Sequence, residues 1–553
     1  MERGGEEEAR RLREQVAIQE EKARAEADVQ RKHEQAPSRS SHAPSRSASQ
    51  DVSPTTIMMS ALTLLVGGCA VLAAMGFKGR VTTVGIDLGT TFSVIAYSHR
   101  GKVTVISDKE YNVHIRRKLG LPSEALPSEA SWYNKEHSIF PSMVSFLDGG
   151  ENVVGYAAQA RLSDAPRNTI FNAKRFIGRS LEEEDVQQYA ASHPYKAVAV
   201  DNDTTAFGTV GFNLSVSGHT ALNNQALAQK KDQKSQKNQK KQQPWSLVSP
   251  EYVGSLVLKH LLSIASYHLG HSMVKNAVVA VPAKFNTEQR KATAAAYKAA
   301  GLKVVRVIEE PTAAAVAYRL HKRSNIHHIL VYDFGGGTLD VSLLFVSKGS
   351  VQVLTTDGDD ALGGSDFDLC LHDLIVDRLR RDYAFSPPSS TASEAAGAGP
   401  EGGKGKGKGK GKDKGQGGQH DNLCSHSALQ QKAEQLKKDL SSLDEATVSC
   451  SLFSLPSSPG GVVSILGQAD VTVRTEEFHS TCRALFDRGL EPVERLLRDT
   501  GMTPDHVDEV VLVGGTTRIP LVKRLLVDFF GKPLNDHIDP DVTVAVGAAS
   551  ILD

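Results

Sequence analysis

Two acid-glycine-threonine turns, far apart in the chain, constrain this sequence more than any other feature. They are Val84-Gly85-Ile86-Asp87-Leu88-Gly89-Thr90-Thr91 and Leu330-Val331-Tyr332-Asp333-Phe334-Gly335-Gly336-Gly337-Thr338-Leu339-Asp340. Each follows an apolar, β-rich run, so each reads as a strand that turns back at a glycine-containing hairpin. Glycine lets main-chain N–H groups approach phosphate oxygens with no Cβ in the way, threonine hydroxyls add donors, and the acids can hold a cation that offsets phosphate charge. A lone Asp-Gly or Gly-Thr pair most often only closes a hairpin. A third segment strengthens the reading: Val510-Val511-Leu512-Val513-Gly514-Gly515-Thr516-Thr517-Arg518-Ile519-Pro520 is again a buried-type strand ending in a Gly-Gly turn, with a planar cation able to lie against a base. Together the three describe a bilobal nucleotide cleft.

A chain of 553 residues has room for about three or four average domains. The motifs that build one cleft run from Asp87 to Arg518, however, which argues for a single two-lobed unit with additions. Ser249 to Leu269 carries apolar residues at helical spacing, Ala277 to Val281 reads as a buried strand stopped by Pro282, and Thr287 to Ala300 returns to helix. The expected class is therefore α/β. A formal net charge of zero gives no global pull toward nucleic acid or anionic lipid, and no specific nucleic-acid partner is expected.

Residues 57–77 form an apolar run without a charged side chain, which at 1.5 Å per residue spans about 30 Å, the hydrocarbon thickness of a bilayer. This run is expected to be a transmembrane or signal-anchor helix. Arg39 and Arg46 before it and Lys78 and Arg80 after it leave the orientation open. Residues 1–56 precede it as a charged, flexible extension; translation from Met58 or Met59 would instead place a signal-like segment at the start.

Three segments read as insertions: about Asp108 to His137, the Lys/Gln tract at 225–243, and 386–426 with its Lys-Gly alternation from Gly403 to Lys412. Like-charged and Gly-rich sequence cannot bury enough apolar surface to offset its ordering entropy, so the last two are expected to be mobile loop expansions. Cys370, Cys424, Cys450 and Cys482 show neither CxxC spacing nor a disulfide framework and read as buried or incidental thiols. Asn202-Asp203-Thr204 and Asn213-Leu214-Ser215 are glycosylation acceptors by pattern, in a stretch that looks turn-rich.

From about Val81 onward the chain resembles the seventy-kilodalton heat-shock chaperones, within the actin-like ATPase fold. Besides the three turns, the resemblance rests on Phe171-Asn172-Ala173-Lys174-Arg175-Phe176-Ile177-Gly178-Arg179, Val279-Ala280-Val281-Pro282-Ala283-Lys284-Phe285, Glu310-Pro311-Thr312-Ala313-Ala314-Ala315 and Leu362-Gly363-Gly364-Ser365-Asp366-Phe367-Asp368. The runs Val248 to Gly254 and Thr338 to Leu344 resemble in particular a microsomal member reduced to the ATPase core. The resemblance thus implies an ATPase domain over 81–553 with no peptide-binding domain, and no stable peptide-client binding.

The resemblance also implies roles. Asp87, Asp333 and Glu310 would hold Mg²⁺ largely through water, a coordination style that suits few carboxylates plus phosphate. Gly89, Thr90, Thr91, Phe92, Gly335, Gly336, Gly337, Thr338, Gly363 and Gly364 would surround the phosphates. Lys174 would position the attacking water, with Asp87, Glu310, Asp333, Asp340 and Thr338 completing the catalytic set. Glu434, Lys437, Lys438 and Ser441 on a helix from Gln430 to Leu440, with Gly514, Gly515, Thr516, Arg518 and Asp541, would bind adenosine; the charged trio on that helix also suits an ordinary amphipathic surface. Four residues depart from the family: Phe92 for tyrosine, Lys284 for tyrosine, Ser365 for an acid and Lys438 for arginine. Pro282 and Arg290 match a switch proline and its relay.

The expected cofactors are ATP or ADP and Mg²⁺, with K⁺ a further candidate. Expected partners are co-chaperones or nucleotide exchange factors, besides the membrane through 57–77. The expected function is slow ATP hydrolysis by a regulator of protein folding at the endoplasmic reticulum, membrane-anchored or lumenal, with the cytosolic face as the alternative topology. The competing reading is a membrane-anchored scaffold that binds ATP with little hydrolysis. A small-molecule kinase on the same fold is disfavoured, because Glu310 to Thr312 and Gly515 to Pro520 follow the chaperone branch.

Overall fold

The computed structural model describes residues 80–118, 136–162, 164–200, 210–216, 246–387, 423–454 and 464–552. The N-terminal extension, the 57–77 run, the Lys/Gln tract, Asn202 and most of the 386–426 insertion lie outside these. Among the described residues no helix is long and apolar enough to cross a membrane.

From Thr83 onward the chain forms one compact unit built on two central sheets. In the first, the spatial order is Lys303–Glu309, Asn276–Val281, Thr83–Leu88, Phe92–His99, Lys102–Val105. Thr83–Leu88 runs parallel to Asn276–Val281 and antiparallel to Phe92–His99, so the first glycine turn is a hairpin as expected. The second sheet has the order Ser350–Asp359, Leu339–Ser347, His328–Phe334, Glu509–Val513. Its middle hairpin carries the second turn, and Glu509–Val513 runs parallel beside His328–Phe334, delivering the third. The central strands are continuous apolar runs because helices or the other half cover both faces.

The expected helices are present. Ser249 caps Pro250–Leu269 by accepting the N–H of Tyr252, and Asn286 with Gln289 forms a capping box on Thr287–Ala299. Their apolar faces close the core of the first half around Ile86, Phe176, Phe212, Leu258 and Tyr297. The helix expected from Gln430 instead spans His426–Asp439, because Ser425 supplies an N-cap one turn earlier. It packs with Gly364–Tyr383 in a core around Phe334, Phe367, Leu371, Leu436 and Phe486.

Helix Thr543–Ser550 joins the two sheets. It lies against strand Thr83–Leu88 and helix Glu310–Ala317, so closely that a Cβ on Gly547 would sit 1.8 Å from the carbonyl oxygen of Ala313, and one on Gly85 2.3 Å from the nitrogen of Ala549. The Asp108–His137 insertion begins with a helix, Lys109–Lys118. Its base is closed by Asp108, whose carboxylate accepts the N–H of His137 at 2.7 Å and pairs with its ring at 3.0 Å.

Two sequence readings are corrected. All four cysteines of the unit are paired, Cys370 with Cys482 and Cys424 with Cys450. Long sequence separations hid both pairs. Asn213 lies not in a turn but in Val210–Leu214, the middle strand of a three-stranded sheet with both edges paired.

Candidate functional site

The first two turns meet. A Cβ on Gly336 would stand 2.6 Å from the Thr91 hydroxyl, so only glycine lets the second turn come this close to the first. Both turns have their carbonyls satisfied from behind. Gly89 and Thr91 carbonyls accept from the Ser142 hydroxyl and N–H, each at 2.8 Å. The Gly335 carbonyl accepts from the Thr516 hydroxyl at 2.8 Å and the Gly364 N–H at 3.1 Å, and the Gly336 carbonyl accepts from the Ser365 N–H at 2.8 Å. Among the described residues no acceptor is paired with the N–H of Gly336 or Gly337, and a Cβ on Gly337 would meet open space. The donors therefore remain for a ligand, as an anion cradle requires.

Beneath the turns lies a buried charged cluster. Lys174 stands on a short 3₁₀ turn, Ala173–Phe176, that follows Asn172 in a left-handed conformation. Its ammonium donates to Glu310 at 2.6 Å, and both side chains are largely buried. Burial disfavours the charge on Lys174, but Glu310 and Asp87 outweigh it and hold the ammonium above its ordinary pKa. Burial pushes Asp87 up to about 7, with Lys174 opposing and Glu310 reinforcing the shift. Burial likewise raises Asp333, aided by repulsion from Glu310, Asp340 and Asp87. One Asp87 carboxylate oxygen is buried without a hydrogen-bond partner among the described residues. An orphaned buried oxygen and crowded carboxylates fit a hydrated divalent cation, which would supply the missing charge.

Asp87 provides a test with a defined sign. Its folded-state carboxyl keeps a proton until about pH 7 whereas an unfolded aspartate releases it near pH 4, so the metal-free fold loses stability as pH rises between about 4 and 7. Asp87→Asn removes that penalty. At pH 8 without metal, the variant should melt above the wild type, and the difference should close toward pH 4. A divalent cation added alone should narrow the difference at pH 8, by offsetting the carboxylate charge of the wild type. Equal melting of the two proteins at pH 8 would contradict this account.

The residues expected at adenosine have their charges matched within the protein. Lys437 pairs with Asp368 at 2.8 Å and donates to the Gly364 carbonyl at 2.9 Å, which ties the helix to the second glycine turn. Lys438 pairs with Glu434 at 2.6 Å, and the Ser441 hydroxyl donates to the Lys437 carbonyl at 2.9 Å. Arg518 donates to Asp541 through Nε at 3.0 Å and also bonds Asp539. A Cβ on Gly363 would stand 2.3 Å from the Gly337 nitrogen, and one on Gly515 2.9 Å from Asp541, so these glycines pack turn on turn. Gly514 adopts φ 82°, which favours glycine. Phe92 opens the strand after the first turn, and Thr338 accepts the Gly335 N–H at its carbonyl, closing the second.

Sequence reasoning missed Asp368, Asp539 and the contact between Lys284 and Asp340, 3.0 Å apart. Lys284 was visible as a departure, but nothing in the sequence pairs it with a residue on another sheet.

Sheets meeting at glycine turns over buried acids are the arrangement of an actin-like ATPase fold. Comparison with known proteins agrees: the family model described as Hsp70 protein matches residues 133–391 and 411–552. The chaperone protein DnaK of Thermus thermophilus is 34% identical over 469 residues, covering 84% of this chain and 60% of that protein. Human heat shock 70 kDa protein 13 is 32% identical over 504 residues, covering 89% of this chain and 93% of its own length. The chain belongs to the Hsp70 family. It spans 60% of the length of the DnaK relative.

Proposed function

We propose that this protein binds ATP with Mg²⁺ in the cleft between its two sheets and hydrolyses it slowly, acting as a regulator in protein folding. The observation that carries the reading is the buried cluster of Asp87, Glu310, Asp333 and Lys174 directly under glycine turns whose N–H groups are left for an anion. Phosphoryl transfer asks chiefly for positioning and electrostatic stabilisation, and these groups supply both. Mg²⁺, when bound, would neutralise charge on the β- and γ-phosphates from Asp87 and Asp333, with Glu310 beside them. The Gly336 and Gly337 N–H groups and the hydroxyls of Thr90, Thr91 and Thr338 would hold phosphate oxygens. Lys174, oriented by Glu310, would face the attacking water. Glu434, Lys437, Lys438, Ser441 and Arg518 would border adenosine, with co-chaperones or exchange factors as partners. Single-turnover hydrolysis by the purified protein tests the reading: release of labelled phosphate is expected, while tight ATP binding with no release would favour the ATP-bound scaffold.

We further propose that the ATPase unit faces the lumen of the endoplasmic reticulum, with residues 57–77 as its targeting or anchoring segment. The two disulfides support this, since such bonds persist in oxidising compartments and are rare in the cytosol. Protease treatment of sealed microsomes should leave the unit intact until detergent is added. Digestion without detergent would place it in the cytosol.

A further inference from the structure

The carboxylates of the cleft outnumber Lys174. Asp87, Glu310, Asp333 and Asp340 all bear on one another or on Asp333 electrostatically, and Lys174 pairs with only one of them, Glu310. A divalent cation between Asp87 and Asp333 would match two more. Asp340 would then be the remaining acid, and its partner is Lys284, whose ammonium lies 3.0 Å from its carboxylate. Both side chains are about one-third exposed, so the pair sits at the mouth of the cleft rather than in the core.

This contact is built into the fold from both sides. Asp340 faces Gly358 across the antiparallel pair of Leu339–Ser347 with Ser350–Asp359, and a Cβ on Gly358 would stand 2.6 Å from the Lys284 ammonium. The glycine leaves the space that the ammonium fills. On the other side, Lys284 stands in the turn between Pro282 and Phe285, which Arg290 braces. The Arg290 guanidinium donates to the Phe285 carbonyl at 2.9 Å, to the Ala283 carbonyl at 3.2 Å and to the Glu309 carboxylate at 3.2 Å, next to Glu310. A long, flexible side chain thus starts from a fixed backbone and ends in a fitted place.

We propose that Lys284 is a built-in monovalent cation of the nucleotide cleft: its ammonium takes the place beside Asp340 that a soluble ion such as K⁺ would otherwise occupy. With a divalent cation bound, two ammoniums and the dication match the four carboxylates. Nucleotide binding and hydrolysis by the natural protein are then indifferent to the monovalent salt. Lys284 is a positioning residue in this account, since it acts on the phosphates through Asp340 and the turn that Asp340 follows. The inference rests on the ATP-binding reading above, but its salt dependence can be measured without nucleotide.

The test compares wild type, Lys284→Gln and Lys284→Arg in potassium chloride and in N-methylglucamine chloride at equal ionic strength. Two quantities are read: melting temperature without nucleotide, and ATP affinity by calorimetry. For the wild type and Lys284→Arg, both should be the same in the two salts. For Lys284→Gln, ATP affinity should fall by about ten-fold in N-methylglucamine and recover in potassium, since a small ion can enter where the ammonium was. Its nucleotide-free melting temperature should rise with potassium in the same way. Wild-type affinity as potassium-dependent as that of Lys284→Gln would overturn the proposal, as would a Lys284→Gln variant indifferent to salt in both readouts. Absence of ATP binding by the wild type in either salt would instead sink the ATP-binding reading, leaving the melting comparison to judge Lys284.

Discussion

Replacing Lys174 by methionine is expected to leave ATP binding within a few-fold of the wild type and to slow hydrolysis on the order of hundreds-fold, as loss of a transition-state contact of about 3–4 kcal/mol would do. The ammonium is fixed by Glu310 at 2.6 Å in a largely buried setting, so no other described cation is held on that carboxylate. Water filling the gap could donate to Glu310 but could not carry positive charge to a developing phosphoryl. The thioether approximates the volume of the lost stem, which separates loss of charge from loss of packing. Single-turnover rates at saturating ATP check the prediction. Equal rates in variant and wild type would remove Lys174 from the chemistry, and lost ATP binding would make it a ground-state ligand instead.

The second large effect is structural. Gly547→Ala should destabilise the unit by about 1–3 kcal/mol or more, the cost of overpacking a tight core contact, which in a unit of this size lowers the melting temperature by about 1–3 °C or more and should weaken nucleotide binding with it. The new methyl would have to displace the Ala313 carbonyl from 1.8 Å, which moves helix Glu310–Ala317 as a body. That helix begins with Glu310, and the opposite face of Thr543–Ser550 leans on the strand that ends near Asp87. Gly337→Ala is the contrasting variant. Its methyl would meet open space, so stability should hold while phosphate binding suffers from a Cβ in the cradle. A Gly547→Ala protein that melts like the wild type would show that the helices can part without cost.

Much of this architecture was legible because local chemistry and tertiary need coincide in it. Asp87, Asp333 and the glycines beside them sit where apolar strands stop, and turns packed this closely on one another have few residue types available. The helices Pro250–Leu269 and Thr287–Ala299 were legible from their apolar spacing, and the structure adds the caps, Ser249 and Asn286. The helix bearing Glu434 was misplaced at its start because polar residues such as Gln430 and Gln431 fit either a loop or a first turn, and only Ser425 decides. What depends on residues distant in sequence stayed hidden. No local pattern reveals that Lys284 lies across from Asp340, that Lys437 finds Asp368, or that Cys370 reaches Cys482 at the junction of two other helices. The family resemblance alone suggested the roles proposed for Lys174 and Lys437, which composition would have left as surface charges.

The boundaries of the long insertion have a practical meaning. On one side the chain leaves helix Gly364–Tyr383 with Phe385 buried against Phe453; on the other it returns at Leu423, buried and bridged to Ser451, just before the disulfide from Cys424 to Cys450. Each end is moored to the same two-stranded ribbon, so the fold does not need the intervening sequence to bring the ends together. An accessory module or a fluorescent reporter spliced between them would therefore leave the core registration intact, while riding directly on the helix that carries Glu434 and Lys438. Such a splice site couples a place for new cargo to the helix proposed to border the nucleotide.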